Sequence, residues 1–127
     1  MSNVPDTLKY TKDHEWVLLE GSTATVGVTE FAQSELGEIV FVDLPPVGKE
    51  VSKGGSFCVL ESTKAASDVY APISGKVKEV NSALSNEPTM VNSDPYKNGW
   101  LAKFENVSAA DVAELMDAAA YKSHIGQ

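Results

Sequence analysis

One lysine lies in a stretch that suits covalent attachment. Lys64 sits between small residues in the run ESTKAASDVY, which spans residues 61–70. The residues before and after it favour β-strands, so we expect Lys64 at the tip of a tight hairpin. Small neighbours leave the amine accessible, and an accessible lysine can attack an activated acyl group held in another enzyme's pocket. A solvated surface charge would show the same local pattern, so these residues alone leave both interpretations open.

The run HEW at residues 14–16 begins like a helical zinc-protease motif. That motif requires a second histidine four residues after the first, so that both rings share one helix face. Position 18 is Leu18, and the other histidine is His124, near the end of the sequence. We therefore predict no metal site and expect both histidines to be structural or exposed. An enzyme that uses His14 and Glu15 for catalysis is the least supported class.

The sequence offers little support for a complete active site. Its single cysteine, Cys58, lies in the apolar run FCVLE, where a buried and inert thiol is expected. One cysteine also excludes an intrachain disulfide. The patterns GxxxxGK, GxGxxG and GxSxG do not occur. We therefore predict no phosphate-binding loop, dinucleotide fold or nucleophile elbow.

Length and charge narrow the class of protein. The 127 residues, 43% hydrophobic and 22% charged, indicate one globular domain with its own core. A formal net charge of -8 disfavours nucleic acid and anionic membranes as partners. It suits a partner protein with a basic surface, although solubility alone would also explain it. No membrane-spanning run, signal peptide or transit peptide is visible, so we expect a cytoplasmic protein, although a mature mitochondrial form would look similar.

Short strands with few helices are predicted along the chain. We expect strands at residues 15–19, 23–28, 38–44, 57–60, 75–80 and 100–104. Thr29 can cap a short helix that runs through Leu36, and Gly37 is the residue type that ends helices. Several short strands at regular spacing, separated by glycines, indicate a sandwich or a barrel.

The last part of the chain has a helical pattern. Ser108 suits a helix N-terminus. Apolar residues then recur at i, i+3, i+4 and i+7, namely Val112, Leu115, Met116 and Ala119. We predict one amphipathic C-terminal helix at about residues 108–120. No linker interrupts the sequence, so residues 1–127 are expected to form a single domain.

A wider pattern surrounds the lysine. The sequence has Gly48, Val51 and Gly54 before it, and Ala71, Pro72, Gly75 and Val77 after it. This arrangement resembles the biotinyl/lipoyl attachment domains. The resemblance implies a mainly β fold, a flattened barrel or sandwich hybrid of two sheets, with its core at about residues 23–105 and Lys64 as the modified lysine. Biotin carriers usually flank that lysine with Met on both sides, whereas Thr63 and Ala65 stand here, so lipoyl is the better match.

Four longer blocks make the resemblance more specific. They are YTKDHEWV (residues 10–17), VGVTEFAQSELGEIVFVDLP (26–45), VLESTKAASDVYAPISG (59–75) and NSDPYKNGWL (92–101). In this order they are similar to the glycine cleavage H-protein family, and the match covers nearly the full length. Short helices and a C-terminal helix also fit that family.

The resemblance implies a carrier without catalytic activity of its own. Lipoic acid would be attached to Lys64 by lipoylating enzymes, through an amide bond. The arm would carry the aminomethyl group of glycine from glycine decarboxylase (the P protein) to an aminomethyltransferase (the T protein). Dihydrolipoyl dehydrogenase (the L protein) would then reoxidise the arm. A monomer is expected.

The resemblance also implies a surface cleft that holds the loaded arm away from water. Glu15 is expected to meet the amine of the cargo, with Asp68 as a second candidate, although Asp68 could equally be a plain strand-edge carboxylate. Glu61, with Thr63 and Ala65, is expected to present the hairpin to the lipoylating enzyme. A plain strand-end carboxylate is an equal alternative for Glu61.

Two other kinds of carrier share these features. A lipoyl domain of a 2-oxo acid dehydrogenase should belong to a longer chain with a linker and an acyltransferase domain, which this sequence does not show. An H-like protein that mainly relays lipoyl groups to other proteins would share Lys64 and the fold. The sequence leaves that relay role open.

Overall fold

The computed structural model describes residues 3–126, which form two antiparallel sheets with short helices around them. Within these residues the strands are β1 (Lys9–Tyr10), β2 (Glu15–Glu20), β3 (Thr23–Val28), β4 (Ile39–Asp43), β5 (Glu50–Val51), β6 (Ser56–Ser62), β7 (Ala66–Tyr70), β8 (Gly75–Val80) and β9 (Ala102–Glu105). The α-helices are α1 (Glu30–Leu36), α2 (Met90–Ser93), α3 (Ala109–Ala113) and α4 (Ala118–His124). Residues 1, 2 and 127, at the ends of the expected single domain, lie outside the described part.

The larger sheet has the strand order β1-β2-β3-β9-β8-β5. Its β2–β3 hairpin turns at Gly21, whose φ of 66° lies in the left-handed region that glycine tolerates. The inner face is apolar, and Val17, Val26 and Phe104 are completely buried. The register pairs Glu15, the first residue of β2, with Val28, the last residue of β3. An acidic residue is thereby held at the end of the buried hairpin.

The smaller sheet has the order β4-β6-β7 and contains the hairpin that carries Lys64. Its buried residues include Ile39 and Leu60. The Phe57 ring on β6 packs edge-on against the Phe104 ring on β9, with centroids 5.2 Å apart. The two sheets therefore share one core but do not close into a barrel. The predicted mainly β fold, a two-sheet hybrid with short helices, is confirmed.

Helix α1 follows from local signals. The Thr29 hydroxyl accepts a hydrogen bond from the Ala32 N–H at 3.2 Å, as an N-cap does. Gly37 ends the helix with a φ of 85°, and its N–H donates to the Gln33 carbonyl at 3.0 Å. The predicted helix between Thr29 and Gly37 is confirmed.

The prediction of one C-terminal helix at about residues 108–120 is wrong. Two short helices, α3 and α4, replace it. Between them Met116 pairs with Tyr10, because the Tyr10 N–H donates to the Met116 carbonyl at 2.8 Å and the Met116 N–H donates back at 2.9 Å. These backbone groups cannot also continue a helix. Asp117 then caps α4, since its carboxylate accepts from the Ala120 N–H at 2.8 Å.

Four of the six predicted strands differ in their bounds. Strand β2 ends at Glu20 and not at residue 19, and β4 covers Ile39–Asp43 and not residues 38–44. Strand β6 runs from Ser56 to Ser62, longer than the expected 57–60, because it pairs along its length with both β4 and β7. The last strand begins at Ala102 and not at Trp100, whose N–H turns back to the Lys97 carbonyl at 3.2 Å. The strands at 23–28 and 75–80 match their predicted bounds.

A second, smaller core lies against α4, and we call it the C-terminal cluster. Its buried members are Val4, Leu8, Tyr10, Trp16, Ala118 and Tyr121. The Tyr10 and Tyr121 rings stack with centroids 4.7 Å apart and planes 13° apart. The cluster joins α4 to the start of the larger sheet. Across residues 3–126, no helix has the length and apolar character needed to cross a bilayer.

Candidate functional site

Lys64 lies at the tip of the β6–β7 hairpin, as predicted. The hydroxyl of Ser62 organises this tip by accepting from the backbone N–H groups of Lys64, at 3.1 Å, and Ala65, at 3.2 Å. The Ser62 N–H donates to the Ala65 carbonyl at 2.8 Å and closes the turn. Thr63, Lys64 and Ala65 are all exposed. The result is an ordered turn that leaves the lysine accessible.

The lysine side chain lies across the C-terminal end of α1. Its Nζ donates to the Glu35 carbonyl at 3.1 Å. A Cβ atom on Gly37 would stand 2.9 Å from the Lys64 Cε, so the absence of a side chain at Gly37 makes room for the lysine. The Thr63 N–H donates to the Glu38 carbonyl at 3.1 Å and fastens the tip to the turn after α1. Because Lys64 is exposed, acylation of its Nζ would remove a charge at the surface and not a buried one.

Asn92 on α2 fixes that turn from behind. Its Nδ2 donates to the Gly37 carbonyl at 2.8 Å and to the Gln33 Oε1 at 3.0 Å, and its Oδ1 accepts from the Ile39 N–H at 2.9 Å. The residue thus supports the platform on which Lys64 lies. Sequence reasoning missed it, because an asparagine in a polar stretch has no local pattern that indicates a distant partner.

Beside the hairpin is a cavity of about 270 Å³, which we call the cleft. One wall is the loop at residues 12–15, another is α1 and a third is β7. The lining residues are Lys12, Asp13, His14, Glu15, Val28, Ala32, Glu35, Leu36, Leu60, Ser67, Asp68, Val69 and Tyr70. The cleft therefore combines an apolar floor with several carboxylates.

Glu15 is the buried acidic group of the cleft, with only 3% of its surface exposed. The Thr11 hydroxyl donates to its carboxylate at 2.6 Å. Burial raises the pKa of Glu15 from 4.5 to about 7, while the Thr11 hydroxyl and a backbone hydrogen bond from Tyr70 act in the opposite direction. A cation that entered the cleft would favour the charged form, so the site is suited to an amine.

Asp68 and Glu61 lie in different surroundings. Asp68 is exposed on β7, lines the cleft and accepts from the Ser56 hydroxyl at 3.0 Å. Glu61 is exposed on β6, pairs in register with Phe41 and Ala66, and does not line the cleft. The structure thus brings Glu15 and Asp68 together around one cavity and leaves Glu61 on the hairpin.

A second cavity, of about 430 Å³, continues beyond Glu15. It shares Lys12, Asp13, Glu15 and Tyr70 with the cleft. Its far side is formed by Pro72, Met116 and the ion pair of Lys53 and Glu114, whose charged atoms are 3.3 Å apart.

The cysteine and the two histidines lie in different surroundings. Cys58 is 3% exposed, so its predicted burial is confirmed, and this burial raises the pKa of the thiol to about 12. The rings of His14 and His124 lie 5.6 Å apart between centroids, although the sequence suggested no relation between them. Burial and the neighbouring His124 lower the pKa of His14. Within the described part of the chain, no three His, Cys, Asp or Glu residues are grouped so that they could hold a metal ion.

Comparisons with known proteins agree with this arrangement. A family model described as Glycine cleavage H-protein matches residues 8–127. A protein of Enterobacter sp. (strain 638), named Glycine cleavage system H protein, is 57% identical over 122 residues, which cover 95% of this chain and 95% of the relative. A protein of the same name from Anaeromyxobacter sp. (strain K) is 52% identical over 122 residues, with 96% and 95% covered. The crystal structure of a glycine cleavage system H protein from Mycobacterium marinum matches with a TM-score of 0.89 and 40% identity, over 98% of this chain and 100% of that one.

Proposed function

Because this chain belongs to the glycine cleavage H-protein family, we propose that it carries lipoic acid on Lys64 and shuttles the aminomethyl group of glycine on that arm. The observation that carries the proposal is the position of Lys64 at an exposed hairpin tip, beside a cleft that contains a buried carboxylate. The tip gives access to other enzymes, while the cleft offers shelter between them.

The residues around Lys64 fit a lipoyl group in amide linkage. The lysine is exposed, and its Nζ meets a backbone carbonyl and not a carboxylate, so acylation breaks no ion pair. An amide nitrogen keeps one N–H that can still donate. Ser62 holds the turn, while Thr63, Ala65 and Glu61 present the hairpin to the lipoylating enzyme. The bound group supplies a disulfide that can accept a carbon group with reduction and can later be closed again by oxidation.

In this proposal the chain performs no catalysis of its own. Glycine decarboxylase (the P protein) loads the arm, the aminomethyltransferase (the T protein) unloads it and dihydrolipoyl dehydrogenase (the L protein) reoxidises it. The formal net charge of -8 would attract basic surfaces on these partners and raise their association rates. We place this carrier in the cytoplasm as a monomer, with residues 1–127 forming a single domain.

The cleft protects the cargo between partners. The aminomethyl group carries an amine, and water can release it as formaldehyde and ammonia. Glu15 supplies the charge partner for that amine from a buried position, and Asp68 offers a second carboxylate at the exposed side of the cleft. The apolar floor, with Val28 and Leu60, limits access of water.

The attachment is tested by Lys64→Arg, with Lys49→Arg as the control. A guanidinium stays protonated and does not form the amide, so we expect no lipoyl group on the Lys64→Arg variant and complete loss of glycine cleavage in the presence of all partner enzymes. Lys49 is also exposed, but it lies outside the hairpin and the cleft, so its variant should behave as the parent protein. Intact mass and the rate of carbon dioxide release are the measurements. Lipoylation of the Lys64→Arg variant, or its normal support of glycine cleavage, would contradict the proposal.

A further inference from the structure

The hydroxyl of Tyr121 lies between two walls of the cleft, although Tyr121 itself is on α4 and does not line the cavity. The residue is completely buried in the C-terminal cluster. Its oxygen is 2.7 Å from the Thr29 Oγ1 and 2.9 Å from the His14 Nδ1. These contacts join residues that are 92 and 107 positions apart in the chain.

Both partners of this hydroxyl belong to segments that form the cleft. Thr29 is the N-cap of α1, whose residues Ala32, Glu35 and Leu36 line the cavity. His14 lines the cavity directly and precedes Glu15. One bond therefore reaches the start of the helical wall and the other reaches the loop that supplies the buried carboxylate.

One assignment of donors and acceptors satisfies every hydroxyl in this group. The Thr29 oxygen already accepts from the Ala32 N–H, so its own proton is free to go to the Tyr121 oxygen. The Tyr121 proton can then go to the His14 Nδ1. Burial raises the pKa of Tyr121 to about 12, which keeps the hydroxyl protonated. If the Tyr121 hydroxyl donated to the Thr29 oxygen instead, the Thr29 proton would need another acceptor, and the described residues provide none.

The loop needs support because its backbone is unusual. His14 has a φ of 71°, in the left-handed region that non-glycine residues seldom occupy. A backbone hydrogen bond from the Thr29 N–H to the His14 carbonyl, 3.0 Å long, is one tie to α1. The Tyr121 hydroxyl is a second tie, and the His124 Nε2, 3.0 Å from the Lys12 carbonyl, contacts the same loop from α4.

We propose that Tyr121 is a positioning residue for the cleft: its hydroxyl holds α1 and the His14–Glu15 segment at a fixed separation and so keeps water from the loaded arm. The inference rests on the proposed function, in which the cleft shelters that arm. It gives α4 a role in protecting the cargo, whereas the hairpin alone serves attachment.

The test compares Tyr121→Phe with Tyr10→Phe in the lipoylated, aminomethyl-loaded protein. The two rings stack on each other in the same buried cluster, but the Tyr10 hydroxyl donates to the Pro5 carbonyl and touches no wall of the cleft. Tyr121→Phe removes both hydrogen bonds of the hydroxyl, so release of formaldehyde and ammonia should be about two- to tenfold faster in this variant, with Tyr10→Phe close to the parent rate. Lipoylation of Lys64 should proceed equally in both variants. Equal release from the two variants would overturn the inference.

A second measurement separates this inference from the proposed function. In the unloaded protein, amide hydrogen exchange at Thr29, whose N–H donates to the His14 carbonyl, should be faster in Tyr121→Phe than in Tyr10→Phe. Equal exchange would show that the hydroxyl does not hold the two walls. If the parent protein released its cargo as fast as free aminomethyl-dihydrolipoamide, the sheltering function would fail, and the exchange result would still decide whether Tyr121 ties the walls together.

Discussion

The hairpin tip and the loop at residues 12–15 flank one site but are built in opposite ways. At the tip, Thr63, Lys64 and Ala65 are exposed, and the Ser62 hydroxyl shapes the turn by accepting from the Lys64 and Ala65 N–H groups. In the loop, Glu15 is buried and its neighbours are held by residues from α1 and α4. Attachment requires access for several enzymes, while shelter requires a polar group kept out of water. The molecule separates these requirements into two regions.

The free energy of unfolding should depend on pH because of the loop and not because of the hairpin tip, since the loop contains the buried carboxylate of Glu15. The unfolded chain loses the Glu15 proton near pH 4.5, and the folded protein loses it near pH 7. Between these values the folded state binds more protons, so a rise in pH removes stability that is fully present below pH 4.5. The change is on the order of 3 kcal/mol in the free energy of unfolding of the unloaded protein.

Chemical denaturation of the parent and of Glu15→Gln between pH 4 and about pH 8 measures this effect. Glu15→Gln should lack this fall in stability. The control is Glu20→Gln, which changes an exposed carboxylate at the other end of β2 and should follow the parent curve. Parallel curves for all three proteins would show that burial of Glu15 has no energetic consequence.

Removal of the charge at Glu15 should also shorten the life of the loaded arm. Glu15→Gln keeps the size of the side chain but loses the charge partner of the amine, so release of formaldehyde and ammonia should be about ten- to a hundredfold faster, as expected for a hydrogen bond to a charged group. Lipoylation should be unaffected, because Glu15 is on β2 and not on the β6–β7 hairpin that carries Lys64. The rate of release after loading by glycine decarboxylase is the measurement.

The corresponding control is again Glu20→Gln, which should retain its cargo as the parent does. Asp68→Asn should have a smaller effect than Glu15→Gln, because Asp68 is exposed to solvent. Equal loss in Glu15→Gln and Glu20→Gln would remove the distinction between the tip and the loop.

The smallest expected effect concerns the contact between the tip and α1. Gly37→Ala and Gly48→Ala both place a side chain at a residue with positive φ, 85° and 96°, so each should cost on the order of 1–3 kcal/mol of stability. At Gly37 the new Cβ would also stand 2.9 Å from the Lys64 Cε, whereas at Gly48 it meets nothing within 4 Å. Only Gly37→Ala should therefore change the rate of lipoylation, measured by intact mass over time. Equal rates in the two variants would show that the position of the lysine does not depend on this contact.

Local sequence signals predict helix α1 and the hairpin tip, which are two of the parts that form the site. Thr29 and Gly37 fix the two ends of α1 through bonds within a few residues, and the helix lies where the sequence placed it. Strand-forming residues on both sides of Lys64 likewise indicate a hairpin tip, and β6 and β7 form it. Glu15 and Asp68 came from a resemblance and not from spacing, and both line the cleft.

The rest of the site depends on contacts between residues that are far apart in the sequence, and no local pattern indicates these contacts. Met116 pairs with Tyr10, which splits the expected C-terminal helix, although the apolar spacing around Met116 is helical. His14 and His124 were interpreted separately because they are far apart in sequence, yet Tyr121 and the two rings meet in one group. Asn92 holds the turn after α1 in the same way. Tertiary packing decides these contacts, so sequence reasoning could not supply them.

The pairing of β3 with β9 has a consequence for the kinetics of folding. Ala24 on β3 lies opposite Phe104 on β9, so the larger sheet forms only when these distant parts of the chain meet. The β6–β7 hairpin, by contrast, closes around a few residues and loses little loop entropy. We expect the chain to fold slowly for its length, as proteins with many long-range contacts do. During that time, the segment that bears Lys64 can form its turn before the walls of the cleft have met.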